Sequence, residues 1–300
     1  MLQLEYLAEL LDKHRPATQA KVKEFTLRGR PFAFNQQPAI MGVINLSADS
    51  WYRESVCLNL EQAIQRSHVL TAQGADLIDV GAESTLAQAA RVDDLTQQSK
   101  LLPLLKEMVA ARQLVSIETY SPDVTRLALE AGAAVINLTG DTENEDIYRM
   151  AAAHDAAVII CFVAGQNVRE VNDLAISNDP AGAMHDYFAR RLELAERCGL
   201  QKLFIDPGLG FYYRNLQDSA TRVRHQMLTF LNTFRLRSLG YPTCHALPHA
   251  FEFFGEEVRS AEPFFAVLAA LGKTDLFRTH EVARTKAVLE TLQVFRPQVV

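Results

Sequence analysis

The chain has little of what marks a metal knuckle, a disulfide scaffold or a membrane protein. Its four cysteines, Cys57, Cys161, Cys198 and Cys244, are scattered, and no two form a CxxC pair. That pattern argues against a zinc knuckle and a disulfide framework. No apolar run approaches the ~20 residues a membrane-spanning helix needs. Positive charge is in deficit: 30 Lys and Arg against 36 Asp and Glu give a net charge of −6 and a pI near 5.8. Nothing there supports nucleic-acid binding. No GxGxxG follows an early apolar run, which speaks against a dinucleotide fold. Met1 to His14 lacks the basic start and unbroken apolar block of a secretory signal. A cytoplasmic protein is the expectation. The single tryptophan, Trp51, reads as a loop anchor rather than a site of chemistry.

What is present is a rhythm. The content, 48% hydrophobic and 22% charged, suits a globular chain and not a disordered one. From Ala39 onward, short apolar runs alternate with longer amphipathic stretches. The strand candidates are Ile40–Leu46, Leu77–Gly81, Val115–Thr119, Val135–Leu138, Ala157–Phe162, Leu203–Asp206, Thr243–Leu247 and Leu276–Thr279. Between and after them lie helical patterns over Leu60–Gln73, Leu95–Ala111, Pro122–Ala131, Glu145–His154, Met184–Cys198, Thr221–Leu239, Pro263–Leu271 and Ala283–Val294. The strands are continuously apolar, as strands covered on both faces should be. Gly74, Gly132, Gly199, Gly240 and Gly272 follow helical patterns and are expected to form left-handed caps. About eight such units in ~260 residues predict an α/β fold of the (β/α)8, or TIM-barrel, type. A doubly wound open sheet is the alternative. Residues 1–37 form a short N-terminal extension and 38–300 the barrel. Within the extension, Met1–Leu11 reads as an amphipathic helix and 14–37 as connecting structure with a short hairpin.

In an α/β barrel the chemistry sits at the C-terminal ends of the strands. In order, those ends carry Asn45; Asp79 followed by Glu83, Ser84 and Thr85; Glu118; Asn137; Cys161; Asp206; His245 and His249; and Arg278 with His280. One such residue alone would be a cap or turn former. The set is better explained by one shared pocket. Asp79, Glu118, Asn137 and Asp206 make an acidic and amide group in its depth. Carboxylates accept paired N–H bonds, which suits a flat heterocycle with adjacent donors. Arg278 and His280, two apart, form a cationic rim where barrels bind phosphate. Asn45 and Thr85 add hydrogen bonds to an anion or its Mg²⁺. His245 and His249, with Pro248 between them and no helix beneath, make a poor metal pair. Arg222, Arg224, His225, Arg235 and Arg237 read as a solvated or subunit-facing helix surface.

These residues resemble dihydropteroate synthase and the wider pterin-binding family of α/β barrels. The segments that carry the resemblance are Ile40–Ser50, Gly74–Thr85, Ser116–Tyr120, Ile136-Asn137, Ile205–Phe211 and Arg278–Val282, in the family's order. The similarity spans roughly residues 39 to 295. It implies a transferase that joins a dihydropterin methyl diphosphate to the amine of p-aminobenzoate and releases pyrophosphate. By resemblance, Asp79, Glu118, Asn137 and Asp206 bind the pterin. Asn45, Thr85, Arg278 and His280 bind the diphosphate, with Mg²⁺ at Asn45. Asn45, Arg278 and His280 are then the catalytic residues. The resemblance also implies a homodimer through the last third of the barrel, where Phe251, Phe253, Phe254, Phe264 and Phe265 cluster.

The departures are specific. Glu118 stands where the family usually has Asp, and one added methylene displaces a carboxylate by about 1 Å, enough to cost ~100-fold in rate. Leu86 replaces a phosphate-gripping Arg, with Arg91 the nearest substitute, and Leu138 replaces an Asp. After strand seven the family carries Ser-Arg-Lys, whereas His245–Phe251 contains no Lys or Arg. The first loop reads Trp51-Tyr52-Arg53-Glu54, and the sixth gains Tyr212, Tyr213 and Arg214, suited to stacking on or pairing with a larger partner. The expectation is therefore a dihydropteroate-synthase-like transferase with an altered second substrate. The alternatives are a non-catalytic pterin-binding homologue and a pterin-dependent methyltransferase.

Overall fold

Successive side chains on a strand point to opposite faces, and here the two sets find different partners. The structure, a computed structural model, describes every residue except 48, 50, 51, 53, 54, 85–88, 90, 142, 143, 212, 217 and 296–300. After α1 (Leu4–His14), a hairpin of β1 (Phe25–Leu27) and β2 (Arg30–Phe32) precedes eight parallel strands. These are β3 (Ala39–Asn45), β4 (Leu77–Gly81), β5 (Val115–Thr119), β6 (Val135–Leu138), β7 (Ala157–Cys161), β8 (Leu203–Asp206), β9 (Cys244–Ala246) and β10 (Leu276–Thr279). The helices between and after them are α2 (Leu60–Gln73), α3 (Asp94–Ala110), α4 (Pro122–Glu130), α5 (Asn144–Ala153), α6 (Pro180–Arg197), α7 (Ser219–Leu236), α8 (Phe251–Phe254), α9 (Ala261–Leu271) and α10 (Val282–Val294). The strand order is β8-β7-β6-β5-β4-β3-β10-β9. A parallel bridge between Ile205 and Thr243 joins its two ends and closes the ring. Among the described residues, no helix is long and apolar enough to cross a membrane.

Outward residues such as Ile44, Ile78, Ile117, Ile136, Ile160 and Phe277 pack under the helices. Inward residues Met41, Leu77, Val135, Ala157, Phe204 and Leu276 fill the end of the barrel where the strands begin. The hairpin seals that end. Arg28 and Gly29 both have positive φ (46° and 84°), the geometry of a tight two-residue turn. Phe25 and Phe34 meet Phe204 edge-on at 5.2 and 5.3 Å, and Phe32 stacks on Phe34 at 5.6 Å. Phe32, Phe34 and Phe204 are buried, and burial of such a ring contributes about 1.5–3 kcal/mol. Arg28 donates to the carbonyl of Ala133 at 2.8 Å and Arg30 to that of Asp76 at 3.0 Å. Half of the extension thus completes the barrel's own core.

Differences from expectation are local and have causes. Helix α6 opens at Pro180 rather than Met184, because the Asp179 carboxylate accepts the Gly182 N–H at 3.0 Å and Pro180 stands at the first helical position. Gly272 is not a left-handed cap: its φ is −80°, and Lys273 takes the positive φ of 61°. Glycine is needed there for closeness, since a Cβ would sit 1.8 Å from the Phe230 carbonyl oxygen. Strand β9 is shorter than its apolar run, ending at Ala246.

Candidate functional site

Above the apolar layer, the inward positions turn polar. Parallel register sets Asp79 opposite Ser116, and Glu118 opposite Asn137. Asp79 is fully buried. Its Oδ1 accepts from the Ser116 hydroxyl at 2.6 Å, and its Oδ2 from Asn137 Nδ2 at 3.0 Å and Arg278 Nε at 2.7 Å. Arg278 Nη2 donates to Glu118 Oε2 at 2.5 Å. The Cys161 thiol donates to Asn137 Oδ1 at 3.4 Å. Over this layer a cavity opens at the strand C-termini, lined by Asn45, Glu118, Asn137, Asp206, Arg278 and His280, among others. Asp79 lies just behind that wall, with both oxygens in use. Thr85 and Leu86 lie outside the described residues.

Burial dominates the electrostatics. It pushes Glu118 up to about 7 against the pull of Arg278, with Asp79, Asp206 and Glu83 adding repulsion. The pull of Arg278 lowers the Glu118 pKa but does not offset its burial. Burial likewise pushes Asp206 up to about 6, opposed by the Gly208 N–H at 2.8 Å. For Arg278, burial disfavours the charge, but Asp79 and Glu118 outweigh it and hold the guanidinium firmly protonated. Near neutral pH the floor therefore offers acceptors together with a carboxyl able to donate. The expectation placed Arg278 on a rim beside His280. Instead its guanidinium lies across the floor, because Asp79 and Glu118 sit at its height.

His280 stands at the mouth. Its Nδ1 lies 2.7 Å from Glu262 Oε1. Glu262, fully buried on α9, uses Oε2 to accept the backbone N–H groups of His280 (2.9 Å) and Glu281 (3.1 Å) and the Thr279 hydroxyl. Asn45 Nδ2 donates to the Ser55 hydroxyl at 2.6 Å. A polar floor under a barrel mouth, with these strands in this order, has a counterpart among known proteins. Residues 41–247 match the family described as "Pterin binding enzyme".

The chain belongs to the pterin-binding enzyme family. It is 27% identical over 264 residues to a dihydropteroate synthase of Synechocystis sp., a match that covers 84% of this chain and 88% of the relative. A dihydropteroate synthase of Streptococcus pyogenes is 28% identical over 273 residues, 87% of this chain and 97% of its own. Among solved structures, Xanthomonas albilineans dihydropteroate synthase with 4-aminobenzoic acid superimposes with a TM-score of 0.77. It is 26% identical, and the match covers 93% of this chain and 100% of that one.

Within this family barrel, several residues lie elsewhere than the sequence suggests. His245 does not face the cavity. Cys244 takes the inward position of β9, so alternation sends His245 outward. There its Nε2 meets the Thr233 hydroxyl at 2.7 Å, beside Phe230, and burial pushes its pKa down to about 3. Arg222 is not a solvated surface residue: it lines the cavity and pairs with Glu252 at 2.6 Å. Its neighbours on and after α7 are also engaged, Arg235 with Asp179 and Arg237 with the buried Asp275. Tyr213 is buried with Leu174 and Leu216 rather than presented to a partner. Arg91 pairs with Glu170 at 2.8 Å and does not line the cavity. Trp51, Arg53, Glu54 and Tyr212 lie outside the described residues.

Glu262 and Tyr52 are site residues that the sequence reading missed. Tyr52 stacks on His249 (centroids 5.0 Å apart) and tilts against His280 (4.6 Å), while its hydroxyl donates to Glu281. The signal for Glu262 was present: it is the one acid in the apolar stretch Ala261–Leu271. A helix taken to start at Pro263 leaves it outside.

Proposed function

We propose that this chain is a dihydropteroate-synthase-type transferase, which joins a dihydropterin methyl diphosphate to an arylamine with release of pyrophosphate. The observation that carries this is the cavity at the strand ends, which Glu118, Asn137 and Asp206 line together with Asn45 and His280. A pterin edge presents an amino group, a ring N–H and acceptors side by side. Asp206 accepts the N–H pair, and Asn137 and Glu118 supply mixed donors and acceptors. Asp79 acts behind them, orienting Asn137 and Arg278.

In the reaction the methylene C–O bond breaks and its electron pair leaves on the diphosphate. The amine lone pair forms the new C–N bond, and the amine proton is lost to solvent. Catalysis consists of holding both partners in line and stabilising the departing anion. His280 and Asn45 face that anion, with Thr85 the further candidate from the β4 loop. Asn45 also fits Mg²⁺: its amide nitrogen is spent on Ser55, so its oxygen is left as a hard donor, the kind a phosphate-bound Mg²⁺ takes in ones and twos. When bound, Mg²⁺ would neutralise diphosphate charge.

The second substrate is the altered partner. The wall after β9 is Ala246, Leu247, Pro248, His249, Ala250 and Phe251, with Arg222 beside it. An arylamine with an apolar body and an acidic group reaching Arg222 suits this wall. We also read Phe253 and Phe264, both exposed, as part of a homodimer contact, which sedimentation at micromolar concentration would test. Phe265, by contrast, belongs to the barrel's own core. The cysteines are free thiols, in keeping with a reducing cytoplasm.

The deciding assay is pyrophosphate release from the dihydropterin methyl diphosphate with Mg²⁺, with and without arylamine. Amine-dependent release is expected, and Asp206→Asn should cut dihydropterin affinity by ~10–100-fold in calorimetry, the loss of one charged hydrogen-bond pair. Bound pterin with no release for any arylamine would instead favour a binding-only protein.

A further inference from the structure

The family's cations after strand seven are missing, yet the mouth of the cavity holds a cluster of another kind. His249, Glu262 and His280 each offer one ligand atom, and those atoms lie within 4.8 Å of one another. We propose that these three side chains form a binding site for a first-row transition ion of the Zn²⁺ type, with its open coordination position facing the cavity.

The donor set is two imidazoles and one carboxylate, which suits Zn²⁺, Co²⁺ or Fe²⁺ and not Mg²⁺, which prefers oxygen. Three protein ligands with a fourth position free is the arrangement of reactive zinc sites. Both histidines line the cavity while Glu262 lies fully buried behind them. An ion held between them would therefore face the cavity.

Three further observations go beyond an ordinary His–Glu ion pair. First, His249 Nδ1 is buried with no hydrogen-bond partner, 3.6 Å from the same Glu262 Oε1 that meets His280. One pair needs one histidine, and here two converge on one oxygen. A buried polar atom left unpaired is uncommon and marks a missing partner. Second, the supporting bonds that a ligating carboxylate requires are already made. Thr279 and the N–H groups of His280 and Glu281 all bind Oε2, which presents Oε1 to the imidazoles. Third, Tyr52 packs against both rings and sets their planes.

Ligand atoms around a tetrahedral Zn²⁺ sit about 3.3 Å apart, given bonds near 2.0–2.1 Å. The Glu262–His280 distance of 2.7 Å must widen slightly and His249 must swing inward, both side-chain rotations. With two neutral imidazoles and one carboxylate, a divalent ion leaves a net positive charge at the mouth. On the transferase reading, to which this last step is tied, that charge stands in for the absent strand-seven cations and takes a diphosphate oxygen.

The test uses the full chain, stripped by a chelator and titrated with Co²⁺. Saturable equimolar binding with visible ligand-field absorption is expected, displaced by an equivalent of Zn²⁺ and not by a large excess of Mg²⁺. His249→Ala and Glu262→Gln should each weaken binding at least ~10-fold. If Glu262→Gln fails to fold, His249→Ala on the cavity wall carries the test alone. Inorganic pyrophosphate added to the Co²⁺ form should shift the absorption. Absence of saturable binding, or equal affinity in His249→Ala, overturns the site. An unshifted spectrum at saturating pyrophosphate overturns its opening onto the cavity. Normal Co²⁺ binding in a protein that never releases pyrophosphate would sink the transferase reading and leave the metal site standing.

Discussion

The two sides of the cavity are built on different plans. On the β4–β6 side, the polar groups come from strands in parallel register, and each is answered by its neighbour. Ser116 and Asn137 satisfy Asp79, and Arg278 crosses the barrel to join Asp79 and Glu118. On the β9–β10 side, the groups come from a strand end, a loop and a helix. There His249 and His280 gather around a carboxylate from α9. The first side is a connected network in which both Asp79 oxygens are engaged. The second keeps an unpaired nitrogen on His249. Connected networks support a fixed ligand shape, whereas an open cluster is where a new ligand can be accommodated. The loss of Lys and Arg over His245–Phe251 falls on the second side, while the single-residue departures at Glu118 and Leu138 fall on the first.

The contrast can be broken most forcefully at Arg278. Replacing it in Arg278→Met leaves Asp79 and Glu118 buried without their cation, which should cost about 3–5 kcal/mol. Urea unfolding at neutral pH would measure it, and a loss under ~1 kcal/mol would mean that the floor is not one coupled unit.

Glu118 sharpens the comparison through pH. Its carboxyl is pushed up from 4.5 to about 7 in the folded chain. Across that window the folded state keeps a proton that the unfolded state has lost. The Glu118 contribution therefore makes stability fall as pH rises from about 4.5 to about 7. Glu118→Gln cannot titrate, so its stability curve should flatten by on the order of 1–3 kcal/mol over that range. Unfolding midpoints at several pH values would show it, and an unchanged slope would place the carboxyl's proton elsewhere. Asp206, pushed up to about 6, would still contribute in the more acidic part of the window.

The smallest effect is expected at His245, which resembles His249 in sequence but not in place. His245→Leu removes one bond to Thr233, whose hydroxyl also reaches the Thr229 carbonyl at 2.9 Å. A cost within ~1 kcal/mol and unchanged pterin and Co²⁺ affinity are expected. Any loss of Co²⁺ binding in this variant would blur the line between the two histidines.

Much of the site was readable before any coordinates. Asp206 closes an apolar run, Glu118, Asn137 and Asn45 each stand one place before the end of theirs, and period-two alternation fixes which way such a residue faces relative to its strand. The same rule, applied to β9 with its true inward residue Cys244, would have sent His245 outward. Glu262 was harder, because a helix start is legible only to within a residue or two, and its first turn holds the residue that matters. Arg222 was misread because the α7 pattern was read without its place after β8, where the first turn of a helix stands at the barrel mouth.

The amino-acid sequence alone determined the alternation of strands and helices, the barrel they form, and the polar residue at the end of most strands. These follow from local periodicity and turn chemistry, which act over a few residues. The tertiary structure decided who meets whom. Arg278 reaches Asp79 across 199 residues of chain, and Glu262 meets His280 and His249 only once α9 is packed against the closed ring. Such contacts depend on ring closure and on the depth of burial, which no local pattern encodes. The same closure drew Arg278 from the rim to the floor, because two buried carboxylates at its level hold a charge that water would otherwise share.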